Sequence, residues 1–250
     1  MNSRRLKLIV AYDGRPFAGW QSQANGNAIQ DHLEESFARV AGTKVRVHGA
    51  GRTDAGVHAL AQCAHADVPQ NRLTPELWLS AVNSYLPATI RLMRCEEVSA
   101  DFHARFSAKG KTYRYRIFND RILPPLEFGR VWHVPGPLDV SLMEKEARAF
   151  LGRHDFAAFA ANRGKPQKDT NRTIRSAVIR QSGSCITLEF SGDGFLYKMV
   201  RLMVGTLVQI AREKLAAGTI RERLHDPGKR AIPNKLVAPA EGLFLIRVRY

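Results

Sequence analysis

Val45-Arg46-Val47-His48-Gly49-Ala50-Gly51-Arg52-Thr53-Asp54-Ala55-Gly56-Val57-His58-Ala59 runs from an alternating apolar strand pattern into a glycine-flanked loop and out into a second strand pattern. Gly49-Ala50-Gly51 begins like a dinucleotide fingerprint, but Asp54 stands where the third glycine belongs and strands lie on both sides, so that reading is set aside. Glycines let backbone and ligand approach closely, and the loop would hold Arg52 and Asp54 at fixed positions on a rigid scaffold. Taken alone, Thr53-Asp54-Ala55-Gly56 reads equally well as a polar turn.

Outward from this stretch the chain falls into a pattern that occurs twice. A strand over 6–12 precedes a helix from Asn27 with Ile29, Leu33, Phe37 and Ala41 on one face. After the loop come a strand over 63–68, a helix capped by Thr74 with Pro75 at its first position, and a strand over 90–98. The order is β-α-β-β-α-β. It recurs as a strand over 112–118, extra strand material near Val131, a helix opened by a Ser141/Glu144 capping box, strands over 173–180 and 185–190, a long helix from about 197 to 215, and a last strand over 244–250. The expected fold is α+β: two tandem ferredoxin-like halves, residues 1–108 and 109–250, with a central mixed or antiparallel sheet and an intervening catalytic cleft. The joint falls within 107–111, and Leu123-Pro124-Pro125 and residues 162–171 read as exposed loops.

The 250 residues hold 38 Lys+Arg against 23 Asp+Glu, a net charge of +15, and 44% are hydrophobic. Such a chain buries a core and wears its excess charge on a folded surface, which points to a polyanionic partner. The cations recur in loops, at Arg15, Lys109, Lys111, Lys165, Lys168, Arg172, Lys229 and Arg230, instead of forming one solvated run. Cys63, Cys95 and Cys185 lie far apart without paired spacing, which suits a reducing cytoplasm and supports neither a disulfide framework nor a zinc knuckle. His58, Cys63 and His65 lack a second cluster of ligands, so no metal is expected. Asp13 ends the N-terminal apolar run before a signal segment is complete, and the stretch 199–211 is broken by Arg201 and too short to span a bilayer. A soluble, cytoplasmic protein is expected.

The long helix is apolar nearly all round and should be buried. Arg201 in its first turns then needs an anionic partner or a wet cleft, and Gly205 would leave the space beside it unfilled. Arg201 is either a snorkelling structural arginine or the cation that keeps Asp54 ionised. Tyr113 and Tyr115 alternate with Lys111, Arg114 and Arg116, so both rings share one strand face, as core aromatics or as a platform for stacking a base. Ser191-Gly192-Asp193-Gly194 lacks a Walker lysine and reads as a turn, so no nucleotide cofactor is expected.

Gly51-Arg52-Thr53-Asp54-Ala55-Gly56-Val57-His58-Ala59 resembles the active-site motif of the tRNA pseudouridine synthase A family. Other blocks agree in order: 101–108 (Asp-Phe-His-Ala-Arg-Phe-Ser-Ala), 111–116, His154-Asp155-Phe156, 195–201 with Val204-Gly205-Thr206-Leu207, and Ala238-Pro239 before Gly242-Leu243-Phe244-Leu245. The resemblance spans 6–250 and is weakest at 119–135 and 162–171; Glu213 departs from an expected glycine. It implies a cofactor-free, metal-free isomerase that turns uridines on the 3′ side of the tRNA anticodon stem-loop into pseudouridine, acting as a homodimer. By the same resemblance Asp54 is the nucleophile or the base that removes the C2′ proton, and Tyr113 stacks on the target base or handles a proton. Arg52 fills the gap left by the flipped nucleotide, Arg201 maintains the Asp54 carboxylate, and Leu243 or Leu245 packs on the base. The competing readings are a pseudouridine synthase for another RNA, a non-catalytic RNA-binding protein, which leaves Arg52, Asp54 and Arg201 unexplained, and a metal-dependent nuclease, which would want more carboxylates than Asp54.

Overall fold

The computed structural model describes residues 3–24, 26–161, 169–226 and 236–250. Lys165, Lys168, Lys229, Arg230 and residues 162–168 of the second expected loop lie outside the described residues. Ten strands and five α-helices are found among those described, in two compact units: Met1–Lys109 with Phe244–Tyr250, and Gly110–Leu243.

In the first unit β1 (Ser3–Tyr12) is central, antiparallel to both β3 (His58–Pro69) and β4 (Ile90–Val98). A short β2 (Val47–Gly49) runs antiparallel to the far half of β3, and β10 (Leu243–Arg249) lies parallel to its start, pairing Phe244 with His58 and Leu245 with Ala59. Strand alternation puts Leu6, Leu8, Val10 and Tyr12 on a buried face. Helices α1 (Ile29–Ala41) and α2 (Pro75–Tyr85) supply Leu33, Phe37, Trp78 and Val82 to the same core, with the Phe37 and Trp78 rings stacked at 5.7 Å. Thr74 caps α2 through its hydroxyl, as the sequence indicates. Helix α1 begins two residues later than expected, because Asn27 is left-handed (φ 59°) and the Asp31 carboxylate instead accepts the Ala28 N–H at 2.9 Å.

In the second unit the strand order is β5 (Gly110–Phe118), β9 (Cys185–Gly192), β8 (Asn171–Ser182), β7 (Gly152–Asp155), antiparallel throughout, with β6 (Trp132–His133) parallel to β5. Helices α3 (Val140–Ala147), α4 (Met199–Ala211) and α5 (Thr219–His225) complete it. The expected Ser141/Glu144 capping box is not what opens α3. Asp139 is the cap, its carboxylate accepting the Leu142 N–H at 2.8 Å, and a carboxylate also suits the positive end of the helix dipole.

Helix α4 is buried almost all round, as its composition demands, and it is shorter than expected because Lys198 and Glu213 both adopt φ 57°. Gly205 does not leave a void. A Cβ there would lie 1.7 Å from the Leu236 carbonyl oxygen, so the glycine admits a passing backbone. We expect Gly205→Ala to destabilise the protein by about 3 kcal/mol or more, since backbone on backbone cannot relax as a side chain does. Exposed Glu213 sits where glycine is favoured, and Glu213→Gly should stabilise by about 1 kcal/mol. Thermal melts of the two variants should shift in opposite directions, the second by about 2–4 °C.

Candidate active site

The loop between β2 and β3 is held from beneath by the chain that leaves β1. Gly49 lacks a side chain because the buried Trp20 indole occupies its place; a Cβ would lie 2.5 Å from the ring. The Trp20 N–H donates to the Thr53 carbonyl at 3.0 Å, and Gly19 (φ +98°) passes so close that a Cβ would lie 2.7 Å from that oxygen. Tyr12 and Thr53 share a buried hydroxyl–hydroxyl bond of 2.8 Å. On the other side Gln62 Nε2 donates to the Gly51 carbonyl at 2.8 Å, and the Ala50 N–H to Cys63 at 2.7 Å.

After Thr53 the loop closes as a turn. The Val57 N–H returns to the Asp54 carbonyl at 3.1 Å, and Gly56 has the φ of +79° that a type II turn requires at its third position. His58, buried at the start of β3, stacks on Phe244 at 4.6 Å. Its Nδ1 accepts the Gly14 N–H at 3.1 Å, while an Asp13 carboxylate oxygen lies 3.3 Å from the same nitrogen. A neutral ring therefore holds Gly14 and a protonated one holds Asp13. Burial pushes the Asp13 carboxyl up, but hydrogen bonds from Arg15 and the nearby His58 outweigh it, leaving Asp13 below the ordinary carboxylate range.

This framework presents Asp54 half-buried and Arg52 exposed on either side of the buried Thr53. Arg52 Nε donates to Gln21 Oε1 at 3.2 Å. Leu245 is buried beside Ala59 across the β10–β3 ladder, so Arg52, Asp54 and Leu245 belong to one unit.

Tyr113, Arg201 and Leu243 belong to the other unit. Tyr113 and Tyr115 do share the buried face of β5. The Tyr115 hydroxyl donates to the Pro239 carbonyl at 2.8 Å, and its ring fills the place where a Gly242 side chain would stand, so Tyr115 is a core residue and not a stacking platform. Burial also holds its phenol well above the ordinary range. Tyr113 lies nearer the surface, edge-on to Phe195 at 5.1 Å. Arg201 is half-buried; its Nε donates to the Ala238 carbonyl at 2.7 Å, and its own carbonyl accepts the Ala238 N–H at 3.1 Å. Leu243 is buried at the start of β10.

The sequence reading did not single out Tyr12, Gly14, Gly19 or Trp20, nor the clamp on His58. The available signal was the long β1–α1 connection carrying three glycines and a tryptophan, since loops of that length in compact domains are commonly functional. Among the described residues no group of three or more His, Cys, Asp or Glu is placed to hold a metal ion, and no helix is long and apolar enough to cross a membrane.

Residues 8–107 and 147–250 match the family described as tRNA pseudouridine synthase. Three proteins named tRNA pseudouridine synthase A are similar over nearly their whole length. That of Akkermansia muciniphila is 45% identical over 98% of this chain and 95% of its own. The Methylacidiphilum infernorum protein is 41% identical, over 98% and 94%. The Solibacter usitatus protein is 43% identical, over 99% and 100%. The match covers both compact units, and it includes the loop that carries Arg52 and Asp54. The chain belongs to the tRNA pseudouridine synthase family.

The loop clamp can be tested by itself. Tyr12→Phe removes the bond to Thr53 while keeping the ring, and it should cost about 1 kcal/mol of stability. In urea titrations this reads as a lower midpoint at unchanged slope. Gly19→Ala should cost more, because its backbone conformation and its contact with the Thr53 carbonyl both disfavour a side chain.

Proposed function

We propose that this protein isomerises uridine to pseudouridine in tRNA, on the 3′ side of the anticodon stem-loop, with Asp54 as its reactive carboxylate. The observation that carries this reading is the clamped loop. Thr53 is fixed through its hydroxyl and its carbonyl, so Asp54 and Arg52 are held before any substrate arrives, in a chain whose relatives at 40–45% identity carry that enzyme's name. Pre-positioning of this kind lets binding energy act on the reaction instead of on ordering the site.

The chemistry breaks the N1–C1′ bond, turns the freed uracil and forms a C5–C1′ bond. The C5 hydrogen leaves to solvent as a proton, and N1 is protonated in exchange. No electrons are gained or lost overall, so the reaction asks for neither cofactor nor metal. Asp54 serves as nucleophile at C1′ or as base at C2′, and both roles require its ionised form. Arg52, exposed beside it, is suited to occupy the space vacated by a flipped nucleotide; flipping costs a few kcal/mol, which phosphate contacts from a surface of net charge +15 offset. Tyr113, Arg201, Leu243 and Leu245 are assigned to substrate binding.

The division of labour follows residues 1–108, with the carboxylate loop, and 109–250, with Tyr113 and Arg201. A tandem ferredoxin-like reading of the fold draws support from the order β4-β1-β3-β2 in the first unit and from β5, β9 and β8 as neighbours in the second. A homodimer is the proposed assembly. Ile122, Leu126 and Phe128 stand exposed within one short stretch, a surface of the kind a second copy covers. With tRNA as substrate, the cytoplasm is the proposed place of action.

Transfer RNA carrying tritium at uridine C5 should release label when the protein is added with chelator and no cofactor. Retention of label across well-folded tRNAs overturns the enzymatic reading, and release that persists after the uridines just 3′ of the anticodon are replaced overturns the assigned position. Asp54→Asn should lower release by about 10⁴-fold or more while tRNA affinity changes little, because one group serves catalysis and many phosphates serve binding.

A further inference from the structure

A second feature of the first unit has no part in the loop just described. Residues 103–107 form a turn in which every backbone N–H is tied. The His103 N–H donates to Ser107 Oγ at 3.0 Å, and the Ser107 N–H returns to the His103 carbonyl at 2.9 Å. The Ala104 N–H donates to His65 Nδ1 at 3.2 Å, and the Ala104 carbonyl accepts the Tyr250 hydroxyl at 2.7 Å. His103 Nδ1 accepts the N–H groups of both Arg105 and Phe106, at 3.1 and 3.3 Å. Ala104 is fully buried beneath.

So much fixing ends in an apolar side chain held in water. Phe106 is 77% exposed, although burying a phenylalanine is worth about 2–3 kcal/mol. Its ring lies 4.3 Å from that of His103, and the Arg105 guanidinium lies 5.7 Å from its centroid. Behind it the imidazoles continue: His103 to His65 at 4.6 Å, and His65 to His48 at 5.0 Å across the β2–β3 ladder. Both imidazole acceptors, His65 buried and His103 half-buried, are shifted towards their neutral forms. Burial and then the Arg5 charge bring His65 down to about 4, and burial followed by His48 and Arg5 lowers His103.

We infer that the 103–107 turn is a second RNA-docking site, at which an unpaired base of the tRNA stacks on the outer face of Phe106 while Arg105 meets the adjoining phosphate. The inference rests on tRNA being the substrate. Every base offers a face to an aromatic ring, and a guanidinium at its side adds charge where a phosphate follows. A second copy of this chain is the poorer occupant, because Ile122, Leu126 and Phe128 offer it a broader apolar face, whereas here one ring stands beside an exposed arginine, a pairing suited to a base and its phosphate. Rigidity favours the reading too, since a ring fixed in advance loses little entropy on binding.

The test measures tRNA affinity by filter binding, which needs no turnover, alongside melting curves to establish that each variant folds. Phe106→Ala should weaken binding by about 5- to 150-fold, the range that loss of one stacked base gives, and Phe106→Trp should bind within about 2-fold of the parent. Arg105→Ala should make the salt dependence of binding shallower by about one ion. Unchanged affinity in Phe106→Ala overturns the site, and so does equal weakening in Phe106→Trp. A change of self-association in the sedimentation of Phe106→Ala, with RNA affinity intact, assigns the surface to a second copy and also overturns it. Weakened binding by Phe106→Ala beside a parent that releases no tritium would uphold this site and sink the proposed reaction; the converse pairing would do the reverse.

Discussion

The candidate site depends on one buried threonine. Thr53 lies between Arg52, which is exposed, and Asp54, which is half-buried. The fold anchors the residue between them, by hydroxyl to Tyr12 and by carbonyl to the Trp20 amide. The partners sit 41 and 33 positions upstream, so the geometry of the loop belongs to the tertiary structure of its unit. Gly14, Gly19 and Gly49 are part of the same constraint, because each stands where another piece of chain occupies the side-chain position. The ordering entropy is thereby settled on folding, before substrate binds.

Charge is arranged with similar economy. Many acidic residues are engaged by arginines and lysines of the same unit: Asp67 with Arg5, Glu96 with Lys7, Glu34 with Arg46, Glu189 with Arg114 and Glu127 with Arg116. Exposed pairs of this sort contribute little to stability. Their larger effect is on the field outside, where neutralised carboxylates leave the excess cations to dominate what an approaching polyanion meets.

What the sequence made legible, and what it hid, divides along the range of the interactions involved. Element order, the Thr74-Pro75 start of α2, the buried face of α1 and the all-apolar α4 were readable because they rest on local spacing. The start of α3 was misread because Asp139 and Ser141 are both good caps and only the path of the preceding chain chooses between them. Gly205 suggested empty space, since nothing in its neighbourhood of the sequence tells that residue 236 passes over it. Tyr113 and Tyr115 looked equivalent by strand alternation, and a contact with Pro239 far along the chain makes one of them core. The glycine-flanked motif drew attention to Asp54 and Arg52 as candidates; the Tyr12 and Trp20 that hold Thr53 between them were not readable, having no periodicity to betray them.

Strand β10 returns to the first unit after the whole of the second has been laid down, pairing with the start of β3 and placing Tyr250 against Ala104. On the ribosome, then, residues up to Lys109 emerge with one strand of their sheet still unmade. They wait on the order of ten seconds at ordinary synthesis rates. During that interval the edge of β3 beside His58 is unpaired and the turn at 103–107 lacks its tyrosine, so the nascent first unit carries an exposed strand edge until β10 is made. Translation speed across the second unit thereby becomes a variable in the making of the first.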